Sequence, residues 1–283
     1  RYEFTFQLKR LMQNKKLPYK RYQIGEVFRD EPVSSNRFRQ FTQCDVDVIG
    51  STLKNEAEIL ALCFEVMEKL EIKPIILINN RALLNEILDD NGIKEKDKEL
   101  VLREIDKLGK TDEKKIRMDL RKYNADKIIN ILKKGGGYFS KFESYKEVTS
   151  LMEYCKLYKL KVVFSPTLVR GLSYYNKNLF EIKIKNAKET LIGGGSYMFN
   201  GVQCTGVAFG LDRISVLAKL KKEYQKYLII SLDQDKKSIE LAKKLRSQDK
   251  IVSMYYGKPS KALEYANSYG FQKVVFVGEK EIK

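Results

Sequence analysis

Arg37, Phe41, Gln43 and Asp47 stand at even spacings in RFRQFTQCDVDVIG, residues 37–50, and side chains at even spacing on a strand share one face. Arg39 and Asp45 have the same parity, and Arg29 closes the neighbouring stretch YQIGEVFR, residues 22–29. That face gathers guanidinium forks, a ring, an amide and carboxylates. Arginine forks suit phosphate or carboxylate groups, a ring can stack a base, and Gln with Asp can hydrogen-bond a small polar substrate. The same alternation also describes an ordinary solvated sheet face, and the residues alone leave both readings open. Phe38, Thr42, Cys44, Val46 and Val48 take the opposite parity and are expected to face the core.

Three further groups could join such a site. LVRGLSYYNKNLFE brings Arg170, Tyr174 and Tyr175 together on a strand-rich stretch, and LIGGGSY, residues 191–197, allows close backbone approach to a ligand. Arg213 falls near the start of a helix predicted in GVAFGLDRISVL. The chain contains no histidine, which removes the commonest general base and metal ligand. Chemistry here must run on arginine, carboxylates, tyrosine or a bound ion.

Elements that would position these groups follow from periodicity. Residues 22–29 and 37–50 alternate as strands, with the loop formers of DEPVSSN between them, and are expected to form a hairpin. EAEILALCFEVMEKL places Ile59, Leu60, Cys63, Phe64, Met67 and Leu70 on one helical stripe, which reads as core packed on the sheet. Residues from about 80 to 160 turn lysine-rich and helical, as expected of an inserted module whose charge runs are solvated faces or, as the alternative, a nucleic-acid contact. Residues 161–185 are predicted as strands around an Asn-rich turn, and VQCTGVAFGLDRISVLAKL as a strand running into a helix. From about 223 onward, strands alternate with helices as in a separate α/β domain.

Composition bounds the rest. A formal charge of +17 over 283 residues suits a polyanionic partner, although a lysine-rich proteome would produce the same excess. Cys44, Cys63, Cys155 and Cys204 form no C-x-x-C pair, which argues against a zinc ribbon or disulfide framework. With no apolar run of about 18 residues and no secretory leader pattern, a cytoplasmic protein without membrane contact is expected.

The ordered stretches RYEFT, FRDEP…RFRQFTQCDVD, LVRGLSYY and GVAFGLDR resemble the signatures of class II aminoacyl-tRNA synthetases, and among them the histidyl-tRNA synthetases. The resemblance implies an α+β catalytic domain over residues 1–222 with a mixed, mainly antiparallel sheet and a helical insertion at about 80–160. A C-terminal α/β anticodon-binding domain over 223–283, apparently incomplete, would follow. In the family's pattern Arg29 meets the ATP α-phosphate and the histidine carboxylate, Arg37 and Arg213 the outer phosphates, and Phe41 the adenine. Glu3, Thr5 and Gln43 match positions that hold the ammonium, with Phe4 in the same signature and Tyr174 nearby, while Asp47 and Tyr175 match those reading the imidazole. Arg170 matches an arginine that stabilises charge at the reacting carboxylate and α-phosphate. The implied reaction joins L-histidine to tRNA(His) through histidyl-adenylate, with ATP as substrate, Mg²⁺ on its phosphates, no resident metal and no DNA partner. A homodimer is implied as well. Ser196 and Met198 stand where the family favours arginine and aspartate, and the loop Val33 to Asn36 is short for approach to a tRNA acceptor end. The chain opens inside the RYEFT signature, without the upstream motif of the dimer interface. A non-catalytic paralogue with a regulatory or tRNA-sensing role is the alternative.

Overall fold

The computed structural model describes residues 1–8, 15–30, 33, 38–170, 174–185, 189–218 and 225–279, apart from the Phe6 side chain. The chain divides into two compact units, residues 1–219 and 220–283.

The first unit is built on a seven-stranded sheet of order β1-β2-β7-β6-β5-β3-β4. Its strands are β1 (Tyr19–Phe28), β2 (Gln40–Ile49), β3 (Pro74–Asn80), β4 (Val162–Phe164), β5 (Tyr175–Ile184), β6 (Ile192–Phe199) and β7 (Val202–Gly210). All neighbours pair antiparallel except β3 and β4. A parallel pair needs a crossover connection, and here it contains six helices: α2 (Arg81–Asp90), α3 (Glu95–Ile105), α4 (Glu113–Arg121), α5 (Ile128–Leu132), α6 (Gly136–Phe139) and α7 (Tyr145–Leu157). The helical reading of residues 80–160 holds. These helices bury Ile87, Val101, Leu120 and Leu151 in the same apolar cluster as Ile76 and Ile78 of β3.

Between β2 and β3 lies α1 (Leu53–Lys69). Asn55 Oδ1 accepts from the Thr52 backbone N–H at 3.0 Å, satisfying a donor left orphaned at the helix start. Ile59, Leu60, Cys63 and Met67 are buried as the stripe predicts, and Phe64 and Leu70 pack partly buried against the same cluster. The helix α8 (Leu211–Leu217) follows β7 directly, so the expected strand-to-helix passage around Arg213 is present.

Two expectations about strand faces change. The hairpin is antiparallel in the expected place, but its polar face is the more buried one: Gln43, Asp45 and Asp47 are 3–4% exposed. On the other side Thr42, Cys44 and Val46 are only half-buried, and Phe38 is exposed. The Asn-rich turn is also absent, because YYNKN runs within β5, with a register irregularity between Tyr175 and Leu179. Asn178 there is fully buried and hydrogen-bonded to Glu56 and Asn80. Tertiary hydrogen bonds thus hold in a strand a residue that local preference assigns to a turn.

The second unit has three parallel strands, β8 (Lys226–Ser231), β9 (Ile251–Tyr255) and β10 (Lys273–Val277), in the order β10-β8-β9. The helices α9 (Asp235–Arg246) and α10 (Ala262–Ser268) alternate with them. The central strand buries side chains on both faces: Leu228 and Ile230 meet Ala262 and Ala266, while Ile229 meets Ala242 and Val252. This is the continuous apolar run expected of a covered parallel strand. Among the described residues no helix is long and apolar enough to cross a membrane.

Candidate active site

Residues directly opposite on paired strands share a face, so the sheet register shows how the cavity forms. One row crosses the sheet as Gln23, Asp45, Ala208, Gly193 and Glu181, and the next as Arg21, Asp47, Gly206, Gly195 and Leu179. Polar side chains rise from β1 and β2 and, at Glu181, from β5, while the middle strands contribute glycine and alanine. The result is a cavity of about 630 Å³ floored by β6 and β7, within the usual range for small-molecule sites. The glycines are required by what lies above them: a Cβ at Gly193 would run into the Arg170 guanidinium, and one at Gly206 into the Asp47 carboxylate.

The walls are held by a connected set of bonds. Arg29 lies over the Tyr2 ring at 4.8 Å and the Phe41 ring at 5.0 Å, and donates from Nη2 to Gln43 Oε1 at 3.1 Å. Gln43 Nε2 then donates to Asp45 Oδ1 at 2.5 Å, so the amide is oriented from both ends. Asp47 receives Arg21 Nε and Nη2 on Oδ2 at 3.1 and 2.8 Å, and the Tyr197 hydroxyl on Oδ1 at 2.7 Å. The Tyr174 hydroxyl donates to Glu3 Oε2 at 3.3 Å, and its ring lies 4.6 Å from that of Tyr175. Arg170 pairs with Glu181 at 3.6 Å, and Glu181 also pairs with Lys183. On the far side Arg213 donates to the Thr190 carbonyl at 2.9 Å, and Asp212 accepts from the Thr42 backbone, tying α8 to β2.

Electrostatics follow from this burial. Loss of water pushes Asp45 up to about 7, against the opposing hydrogen bond from Gln43. Burial also raises Glu3 and Asp47, opposed at Glu3 by Tyr174 and at Asp47 by Arg21. Glu181 lies below its ordinary value because the Lys183 hydrogen bond and the Lys183 and Arg170 charges together outweigh burial. Two residues that line this space each bury an atom with no partner among the described residues, the acceptor Glu3 Oε1 and the donor Arg170 Nε. Buried polar groups are rarely left so, and here one acidic and one basic group are both short of a bond.

Glu3, Thr5, Arg29, Phe41, Gln43, Asp47, Arg170, Tyr174, Tyr175 and Arg213 all line this one cavity. Phe4 does not: it is 1% exposed and packs so closely on β1 that a Cβ at Gly25 would come within 3.0 Å of its ring. Its part is to support the sheet, because the chain around Thr5 turns in a short 3-10 helix that sends Phe4 into the protein. Arg37 lies outside the described residues. Asp45, Tyr197 and Glu181, which line the cavity, and Arg21, which bonds Asp47, were not among the expected site residues. Asp45 had the right parity, whereas Arg21, Tyr197 and Glu181 required the sheet register. Asp106 and Lys110, after α3, also line the cavity, although the charge of the helical region was expected to be a solvated face or a nucleic-acid contact.

A family model described as histidyl-tRNA synthetase matches residues 1–214. Histidine--tRNA ligase 1 of Bacillus cereus is 30% identical over 100% of this chain and 76% of its own, and the Bacillus anthracis protein of that name gives the same figures. Among solved structures, histidyl-tRNA synthetase from Nostoc sp. superposes with a TM-score of 0.83 at 23% identity, covering 99% of this chain and 76% of that one. A Bacillus halodurans protein described as an ATP phosphoribosyltransferase regulatory subunit/histidyl-tRNA synthetase reaches 0.79 at 22% identity, covering 98% and 79%. The two structures share the mixed, mainly antiparallel fold. With a family model over most of its length and relatives at 30% identity over all of it, this chain, with its arginine-lined and carboxylate-lined cavity, belongs to the histidyl-tRNA synthetase family.

Proposed function

We propose that the protein is a histidine–tRNA ligase, activating L-histidine with ATP to histidyl-adenylate and transferring it to tRNA(His). The observation that carries this reading is that Glu3 and Arg170, one acidic and one basic residue, line the same cavity. An amino acid brings an ammonium for the first and a carboxylate for the second. Glu3, Thr5 and Gln43 hold the ammonium, and Tyr174 keeps the Glu3 carboxylate oriented. Arg29 and Arg170 neutralise the carboxylate and α-phosphate as the carboxylate oxygen attacks phosphorus in line and the bond to pyrophosphate breaks. Arg213 and Arg37 take the outer phosphates, and adenine stacks on Phe41. The reaction needs no protein general base, because positioning and preorganised charge supply the rate.

Among the described residues no group of three or more Asp, Glu or Cys side chains is placed to hold a metal. Mg²⁺ would arrive with the ATP phosphates, and no step is assigned to it. The α/β unit reads as the anticodon-binding domain, residues 80–160 as the family's helical insertion, and the working form as a cytoplasmic homodimer. A regulatory or tRNA-sensing paralogue is the second reading, favoured by the likeness to the Bacillus halodurans protein described as a regulatory subunit/histidyl-tRNA synthetase.

Histidine-dependent exchange of labelled pyrophosphate into ATP separates the two. The wild type is expected to exchange, and Arg170→Ala to lose about 10²–10³-fold, the usual cost of removing one preorganised charge-stabilising donor. No exchange from folded protein would replace the enzyme with a binding module.

A further inference from the structure

Arg170 carries charge in the proposed reaction, yet little beside its guanidinium aims it. Its one polar partner among the described residues is Glu181, at 3.6 Å, which is beyond hydrogen-bonding distance. Gly193 leaves room for the guanidinium, since any Cβ there would collide with it, but room does not fix a direction. The placement of Arg170 therefore depends on the backbone that carries it.

That backbone lies outside any strand: β4 ends at Phe164, and β5 begins at Tyr175. Leu168 and Val169 are buried, so carbonyls beside them need donors from the protein. Asn79 supplies them. Its Nδ2 donates to the Pro166 carbonyl at 3.1 Å and to the Leu168 carbonyl at 2.9 Å, so the two N–H donors of one amide meet the chain four and two residues before Arg170. Asn79 is itself fully buried in β3, opposite Leu179 of β5, and the clamp is thus mounted on the sheet. The Ile78 carbonyl holds the start of the same segment, accepting from the Ser165 N–H at 2.9 Å. We infer that Asn79 is a positioning residue for adenylation, fixing through these two carbonyls the path from which Arg170 reaches the reacting groups. This rests on the proposed activity, in which Arg170 neutralises the carboxylate and α-phosphate.

The test is histidine-dependent pyrophosphate exchange on the full chain, with folding checked by thermal melts. The proteins are wild type, Asn79→Ala, Asn79→Ser and Arg170→Ala, and each Asn79 variant combined with Arg170→Ala. Serine removes the reach of the amide while keeping a hydroxyl in the buried place, which protects the test if alanine unfolds the chain. Each Asn79 variant is expected to lower kcat about 10- to 100-fold, the cost of a displacement near 1 Å, with KM for histidine and ATP within about twofold. In the Arg170→Ala background the same substitutions should cost less than about twofold, because the group they misplace is gone. A merely structural role would lower the rate by the same factor in both backgrounds, and that outcome overturns the inference. Exchange at the wild-type rate in a folded Asn79 variant overturns it too. Failure of both variants to fold would make Asn79 a residue of the core alone and likewise overturn it; the proposed activity stands in all three cases. No exchange from folded wild type would remove that activity, and the inference with it.

Discussion

The two faces of the large sheet each bury a carboxyl group pushed up to about 7, Asp45 on one and Glu56 on the other. Their surroundings differ in completeness. Glu56 Oε1 accepts from the Ser196 hydroxyl at 2.5 Å and Oε2 from Asn178 at 2.7 Å. Asn178 accepts from Asn80, which also reaches Glu147 and caps α2, and Lys177 closes the chain onto Glu147. Every carboxylate oxygen in that network has a donor. Among the residues lining the cavity, Glu3 Oε1 and Arg170 Nε have no partner among the described residues. Burial and a shifted carboxyl therefore do not separate the two faces; unused hydrogen-bonding capacity in residues that line the cavity does.

The strongest challenge to this contrast is Arg21→Met. It leaves the Asp47 carboxylate buried without its cation, and removing one partner of a buried pair costs about 3–5 kcal/mol. Urea unfolding should show that loss at pH 7. A loss below 1 kcal/mol would mean that the cavity face is wetter than its burial indicates.

Glu56→Gln sharpens the comparison through pH. A carboxyl whose folded value is raised stabilises fully below its unfolded value of 4.5, and that contribution is lost as pH rises through about 7. The wild type should therefore lose stability between those limits, by up to about 3 kcal/mol from this group. The variant, which cannot ionise there, should show a shallower decline in urea midpoints across the same range. Equal slopes would mean that Glu56 titrates normally.

Ser196→Ala carries the smallest effect. It strips one donor from Glu56, at about 1–3 kcal/mol for a buried acceptor left unsatisfied, and should leave histidine affinity unchanged. A change in affinity without a change in stability would assign Ser196 to the substrate side of the sheet.

Much of the site was legible because strand parity is a local property. Gln43, Asp45 and Asp47 share a face whatever the strand pairs with, and Arg29 follows from its place at the end of the next strand. Phe4 was misplaced because membership of a short signature says nothing about which way a 3-10 turn points its side chain. Asn178 was misread because turn preference is local, whereas Glu56 and Asn80 are distant in sequence. Arg21 gained its role only from standing opposite Asp47 in the register.

The sequence by itself determined most of the elements, the polar strand face, the family and the absence of any histidine side chain, because these depend on residue type and short-range periodicity. Only the tertiary structure decided that this face is enclosed rather than solvated. It also decided that glycines floor the cavity, and which carboxylates are already satisfied. Those outcomes depend on which distant strands become neighbours and on how many donors reach each oxygen.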